Sequence, residues 1–330
     1  MLKEINKFGE EDTVNNIVFI DGLWLNVLMR HFAANPSKSL NGFLCGGIFG
    51  FLKNIKHLCE KFTPEKVIVV WEGGGSIRRR NIDKSYKEGR RPVSLNRNYY
   101  SDIPETKENR NYQLKIIIEI LKLTPINQIF VNDCEADDII AYLCKTRNLK
   151  ENKIIVTSDK DYYQLIDEKV KIWSPNKKKI IDEEEVLKTW GVHPKNFCTV
   201  RCFAGDQSDG IKGAKGVGFK KLVKNFPDLS CNKFISVNDI IDMSNDKIKS
   251  GEKLKLYSAI TDVKSEANKN WKLMYLDSSM LNYCQVKSIN YQFENKESSL
   301  NKFGLLKILN REGLNSFDIH SFCMIIKNIK

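Results

Sequence analysis

Short apolar runs rich in β-branched residues recur along this 330-residue chain, and several of them lead straight into carboxylates. Ile17-Val18-Phe19-Ile20 is followed by Asp21, Val67-Ile68-Val69-Val70-Trp71 by Glu72, and Ile154–Thr157 by Ser158-Asp159-Lys160-Asp161. Gln128–Val131 and Val170–Trp173 complete a set of five segments with strand character. Between these runs Phe43–Phe62, Tyr112–Leu123 and Ala136–Arg147 carry apolar residues at three-to-four spacing, which predicts helices. Strand–helix alternation of this kind gives an α/β fold with a mostly parallel central sheet flanked by helices. Such sheets bind ligands beyond the carboxyl ends of their strands, so Asp21, Glu72 and Asp159 are expected at one edge.

Two further acidic groups, Glu135-Ala136-Asp137-Asp138 and Asp206 with Asp209, occur in a chain of formal net charge +12. Carboxylates that converge repel each other unless cations sit between them, and hard ions such as Mg²⁺ or Mn²⁺ take oxygen ligands. Asp159 and Asp161 would share a face at an extended strand end, and Glu135 with Asp138 would share a helix face. Taken singly, each group is equally compatible with an ordinary capping turn at a helix N-terminus. A basic surface around a focused acidic site points to a nucleic-acid substrate held by its phosphates. The plainer alternative is a solvated Lys- and Asn-rich surface.

Nine cysteines occur without a C-x-x-C pair, and Cys134, Cys144, Cys198 and Cys202 read as small buried hydrophobes. Their odd number and the absence of a signal peptide predict a reducing, intracellular compartment such as the cytoplasm. Four scattered histidines argue against zinc, and no apolar stretch reaches the length of a membrane span. Residues 1–16 read as a polar extension. Between Glu72 and about Glu105 the core pattern lapses into Gly73-Gly74-Gly75 and a basic stretch with Lys84, Lys87 and interleaved Tyr86, Tyr99 and Tyr100. A connection this long is usually functional or disordered, and this one is expected to touch nucleic acid, with a solvated surface loop as the plainer alternative. Later, Phe197–Ala204 reads as a helix, glycines 213, 216 and 218 as a tight turn using φ > 0, and Leu222, Val223 and Phe226 as the start of another helix. Residues 230–330 predict helices packed on or beside that hairpin.

Taken in order, Phe19-Ile20-Asp21-Gly22, Val70-Trp71-Glu72, Glu135-Ala136-Asp137-Asp138, Thr157-Ser158-Asp159-Lys160-Asp161 and Gly205-Asp206-Gln207-Ser208-Asp209 with Gly213-Ala214-Lys215-Gly216-Val217-Gly218 resemble the 5′-nuclease or flap-endonuclease family. That family includes bacteriophage ribonuclease H-type 5′-exonucleases and the 5′-nuclease domain of bacterial DNA polymerase I. The likeness covers about residues 17–226. It implies a PIN-like nuclease domain over 17–190 with a helical arch at 73–104, then a helical region over 191–330 with a helix–hairpin–helix near 198–226.

The resemblance also implies roles. Asp21, Glu72, Glu135, Asp137 and Asp138 would serve a first metal site, and Asp159, Asp161, Asp206 and Asp209 a second, holding two Mg²⁺ or Mn²⁺ ions. Lys87, Arg79 and Arg80 would act on the scissile phosphate. Arg30, Arg78, Tyr86, Arg90, Arg91, Lys212, Gly213, Lys215, Gly216, Gly218, Lys220 and Lys221 would contact nucleic acid, with K⁺ at the hairpin. The implied activity is structure-specific 5′-3′ exonuclease or flap endonuclease action in replication or repair. Its substrates would be DNA with a 5′ flap or 5′ end beside duplex, or an RNA–DNA hybrid, cut by a monomer that meets a replication partner such as a single-stranded-DNA-binding protein or clamp. Two positions depart from the family pattern: Glu72 stands where Asp is typical, and Gly210 where Asn often follows the aspartate. A catalytically inactive binder would have lost carboxylates, and a nuclease of single-stranded RNA would not need a duplex-gripping hairpin.

Overall fold

The computed structural model describes residues 16–25, 38–88, 107–147, 149–295 and 299–330. The apolar runs form strands β1 (Asn16–Asp21), β2 (Lys66–Trp71), β3 (Asn127–Phe130), β4 (Asn152–Val156) and β5 (Val170–Ser174). A short β6 (Lys179–Ile181) follows, whose three residues carry too little pattern to be read from sequence. The strand order is β3-β2-β1-β4-β5-β6, parallel throughout except for β6, which runs antiparallel to β5. From β1 the chain moves outward to β2 and β3, then returns to β4 on the other side. The carboxyl end of β1 is therefore the point where strand order reverses, and Asp21 is its last residue.

Thirteen α-helix ranges are used below. They are α1 (Gly46–Phe62), α2 (Ile77–Ile82), α3 (Lys107–Leu121), α4 (Ala136–Thr146), α5 (Glu183–Trp190), α6 (Pro194–Ala204) and α7 (Phe219–Asn225). Then come α8 (Val237–Lys249), α9 (Lys255–Asp262), α10 (Lys264–Met274), α11 (Tyr283–Glu294), α12 (Lys302–Arg311) and α13 (Ile319–Ile326).

Because side chains alternate along a strand, each face of the sheet makes its own core. Val18, Ile20, Val67, Val69, Ile154 and Val156 meet α1 and α3 on one face. Ile17, Phe19, Ile68, Val70 and Ile155 meet α4 and Phe197 on the other. A third core joins α6 and α7, through Val200, Phe203, Ile211, Val217 and Leu222, to Ile240, Tyr257 and Leu273 of α8, α9 and α10. The expectation that the last hundred residues pack beside the hairpin therefore holds for α8–α10 only. Leu305, Ile308, Leu309, Phe322 and Ile326 of α12 and α13 instead cover apolar surface left open by α1 and α3. All nine cysteines are free and seven are buried, among them Cys134, Cys144, Cys198 and Cys202. Among the described residues no helix is long and apolar enough to cross a membrane.

Gly73 fixes the site edge. Its N–H donates to the Cys134 carbonyl at 3.0 Å and its carbonyl accepts the Asp133 N–H at 2.8 Å, which sets the end of β2 against the entry to α4. A Cβ at this position would lie 1.7 Å from the Val131 carbonyl oxygen. Gly73→Ala is expected to destabilise the fold by about 1–3 kcal/mol, seen as a lower urea midpoint at constant m. An unchanged midpoint would show that the two segments are not held this tightly.

Candidate metal centre

The first acidic group is built at the N-terminus of α4. Asp133, at φ +56°, turns the chain after β3, Glu135 takes the N-cap position, and Asp137 and Asp138 fall in the first helical turn. Carboxylates suit this end of a helix because its N–H groups are free and its dipole is positive. Glu72 shares in this, since its Oε2 accepts the Ala136 N–H at 3.2 Å. One carboxylate oxygen from each of Glu135, Asp137 and Asp138 lies within 4.8 Å of the others.

Arg79 of α2 answers these charges. It is only 2% exposed, and its guanidinium donates to Glu135 at 3.0 Å, to both oxygens of Asp138 at 2.5 and 2.7 Å, and to the Leu273 carbonyl at 2.7 Å. Lys87 Nζ reaches Glu135 Oε2 at 2.8 Å, and the Tyr86 hydroxyl donates to the same oxygen at 3.3 Å. Although burial opposes it, Lys87 and Arg79 hold the Glu135 carboxyl below the usual range. Burial pushes Asp137 well up, and Asp138 and Glu135 add to that. Burial alone would discharge Lys87, but Asp137 and Glu135 outweigh it and keep the ammonium charged.

The second group departs from the expected extended strand end. After β4 the chain turns into a 3₁₀ helix, Lys160–Leu165, with Asp159 as its cap accepting the Asp161 N–H at 2.9 Å. From this turn Asp161 joins Asp206 and Asp209, with one oxygen of each within 4.8 Å of the others. Gly205, at φ +76°, ends α6 and delivers Asp206 and Asp209 to the cluster. Arg201 Nη2 bridges Asp161 at 2.6 Å and Asp206 at 2.5 Å. Gly210 sits at φ +73°, a backbone state that Asn also tolerates, which accounts for the departure there.

Asp21, Glu72 and Asp159 lie between the groups. Asp21 Oδ1 accepts the Trp24 N–H at 3.0 Å. Burial lifts its carboxyl to about 7, with Glu72 and Asp159 adding and the Trp24 hydrogen bond opposing. Burial likewise lifts Asp161 to about 7, with Asp159 adding and Arg201 opposing. Lys87 joins the two groups, because its N–H donates to the Asp209 carbonyl at 3.1 Å while its Nζ contacts Glu135. Carboxylates held toward neutrality by burial and mutual repulsion, offering only oxygen donors, fit a hard divalent cation.

The basic residues divide. Arg78 and Arg80 are exposed, donating to the Ser279 carbonyl at 2.9 Å and the Gly74 carbonyl at 3.1 Å. Arg79, expected on the scissile phosphate, is instead enclosed by carboxylates, because it falls on the inward face of α2. Tyr86 is 8% exposed and tied to Glu135, so its ring presents no open face for stacking. Arg30, Arg90, Arg91, Tyr99 and Tyr100 lie outside the described residues, as does the arch from 89 to 104.

Lys212, Lys215, Lys220 and Lys221 stand exposed around the hairpin between α6 and α7, and Lys221 Nζ donates to the Gly216 carbonyl at 2.7 Å. Of the three glycines expected at φ > 0 only Gly216, at +74°, adopts it. Gly213 is needed for closeness instead, since a Cβ there would lie 2.4 Å from the Phe203 carbonyl oxygen. Sequence reasoning missed Arg201 and Asn270. Arg201, a single charge in the apolar stretch Thr199–Phe203, was the available signal. Asn270 Nδ2 pins the hairpin through the carbonyls of Cys202 at 2.9 Å and Lys212 at 2.8 Å, and nothing in the surrounding residues of α10 marks it.

Removing Arg79 leaves Glu135 and Asp138 buried without their partner, so Arg79→Ala should cost about 3–5 kcal/mol in urea unfolding. Mn²⁺ should then raise the melting temperature of Arg79→Ala by more than that of the wild type. Equal shifts would show that Arg79 does not hold these carboxylates.

Comparison with known proteins gives the lineage. The family model for the 5′-3′ exonuclease N-terminal resolvase-like domain matches residues 16–191. A 5′-3′ exonuclease of Aquifex aeolicus is 32% identical over 198 residues, which cover 60% of this chain and 64% of that protein, just under two thirds of its length. The flap endonuclease Xni of Shewanella halifaxensis is 29% identical over 268 residues, covering 77% of this chain and 97% of that protein. The fold is shared with the bacteriophage T5 flap endonuclease crystallised with DNA and metal ions, at a TM-score of 0.64 and 20% identity over 91% of this chain and all of that one. With more than half of its length matched by the family model and its acidic groups gathered at the switch point of a parallel sheet, this chain belongs to the 5′-3′ exonuclease family.

Proposed function

We propose that the protein is a divalent-metal-dependent, structure-specific 5′-nuclease that hydrolyses DNA at a 5′ flap or at a 5′ end beside duplex. The observation that carries this reading is Lys87, whose backbone N–H donates to the main-chain carbonyl of Asp209 in one acidic group and whose ammonium contacts the Glu135 carboxylate of the other. A cation on the residue that ties the two acidic groups together marks where a phosphodiester would lie. Relatives named 5′-3′ exonuclease and flap endonuclease support it, and the T5 enzyme of the same fold has been crystallised with DNA and metal ions.

Glu135, Asp137 and Asp138 would hold one Mg²⁺ or Mn²⁺ ion, and Asp161, Asp206 and Asp209 a second. Asp21, Glu72 and Asp159 would complete the shared wall through direct or water-borne contacts. Bound metal supplies Lewis-acid polarisation of the phosphate and a water of lowered pKa, so no side chain has to act as general base. Water attacks phosphorus as the bond to the 3′-oxygen breaks, leaving a 5′-phosphate and a 3′-hydroxyl. Lys87 stabilises the charge that grows on the phosphoryl oxygens. Arg79 and Arg201 keep their carboxylates in place, while exposed Arg78 and Arg80 meet the 5′ strand. Lys212, Lys215, Lys220 and Lys221 hold the duplex by its phosphates, contacts that set position and not base sequence. The reading extends to RNA–DNA hybrids, to K⁺ at the hairpin, and to a monomer working beside replication proteins.

A 5′-flap cleavage assay with Mg²⁺ tests this. Lys87→Ala should lower kcat by about 10²–10³-fold, and Asp159→Ala should abolish cleavage at ordinary enzyme concentrations. Full activity in Asp159→Ala would sink the metal reading. Lys215→Ala should reduce the salt slope of duplex binding by about one, and an unchanged slope would remove the hairpin from the duplex interface.

A further inference from the structure

The β5–β6 turn was absorbed by none of these roles, yet it leaves the sheet at the site edge. β5 runs parallel to β4, so Ser174 at its carboxyl end stands beside Ser158, with their hydroxyls 3.2 Å apart, one residue before Asp159. Ser174 pairs with Lys179 across the hairpin, so residues 175–178 form the tip. Asn176, Lys177 and Lys178 are all exposed there. Lys178 holds φ +51°, a left-handed state that costs a non-glycine residue roughly 1 kcal/mol. Lysines on edge strands often serve only to block strand addition. Lys179, on β6 itself and paired with Glu185 at 2.5 Å, suits that purpose. Lys177 and Lys178 lie beyond the strand, and neither pairs with a carboxylate among the described residues.

Positive charge also runs between this flank and the hairpin. The Phe219 ring of α7 lies 4.8 Å from Trp190, and the exposed Lys160 ammonium sits 4.9 Å over that same indole. Of the three glutamates that open α5, Glu185 is already paired with Lys179, Glu183 lies 3.0 Å from the His193 ring, and Glu184 faces solvent. In sheet order this turn lies on the opposite side of β1 and β4 from β2, which leads into α2 and the arch.

We propose that Lys177 and Lys178 at the β5–β6 turn form a second phosphate grip for the duplex, flanking the second carboxylate group on the side away from the arch. This rests on the nuclease reading, and the ligand is the duplex DNA backbone. A duplex held at the hairpin would be met again at the turn, which fixes its path past Asp159 and Asp161.

Anisotropy binding in EDTA separates this from catalysis, using a 5′-flap duplex and a single strand across roughly 50–200 mM salt. Lys177→Gln with Lys178→Gln should weaken duplex binding about tenfold and reduce its salt slope by about two. Single-strand binding should stay at its wild-type value. Lys178→Gly relieves the left-handed backbone, so it should raise the urea midpoint and still weaken duplex binding. An unchanged slope in the double variant, or full duplex affinity in Lys178→Gly, would overturn the proposal while leaving the nuclease reading intact. Failure of the wild type to bind the duplex at all would overturn both.

Discussion

Carboxylates crowded at one buried edge of a parallel sheet repel each other, and two unit charges 4 Å apart at a protein-like dielectric interact by about 4 kcal/mol. The elements around this edge are arranged to offset that repulsion. Three cations do so from three separate segments: Arg79 on α2, Lys87 in the turn beyond it, and Arg201 on α6. Arg79 clamps Glu135 and Asp138 at one helix start, Lys87 reaches Glu135 from a separate segment, and Arg201 bridges Asp161 and Asp206 from different turns of chain. Burial still lifts Asp21 and Asp161 to about 7, so the offset is incomplete. The remaining electrostatic demand suits the edge to a divalent cation.

These cations are themselves held by helices from the least patterned part of the chain. The Leu273 carbonyl of α10 accepts from Arg79 Nε, and Asn270 of the same helix fastens the hairpin. Lys269 adds an ion pair with Asp83 at 2.9 Å, just past α2. One helix therefore braces α2 and the hairpin between α6 and α7 at once. A shift of either element would be felt at the carboxylates through Arg79 or through Gly205 and Asp206.

Lys87 couples the two acidic groups more directly. Its φ of +59° is unfavourable for a long side chain, and hydrogen bonds at both ends hold it there. A residue kept in such a state beside a reactive edge is a mark of function. In the proposed reaction the same geometry presents the ammonium to the phosphate without further reorganisation.

The strands, the parallel sheet and the placing of Asp21, Glu72 and Asp159 at its edge were legible in the sequence because they depend on local pattern. A buried parallel strand is a continuous β-branched run whatever lies around it, and a carboxylate after such a run must emerge at the sheet edge. The positions of Arg79, Tyr86, Arg201 and Asn270 were not legible, because each is set by partners 5 to 194 residues away. The arginine run 78–80 shows the limit most clearly: three identical residues in sequence become two exposed and one buried, and only the packing of α2 against α10 selects which. The turn after β4 was left open for a similar reason, since a capping turn and an extended strand end share one local sequence there, and the structure takes the capping turn. By itself, then, the sequence determined which chemistry could gather at the edge. The tertiary structure decided which carboxylates lie within reach of one another and which cations guard them, because charge pairing in a buried site acts through space and not along the chain.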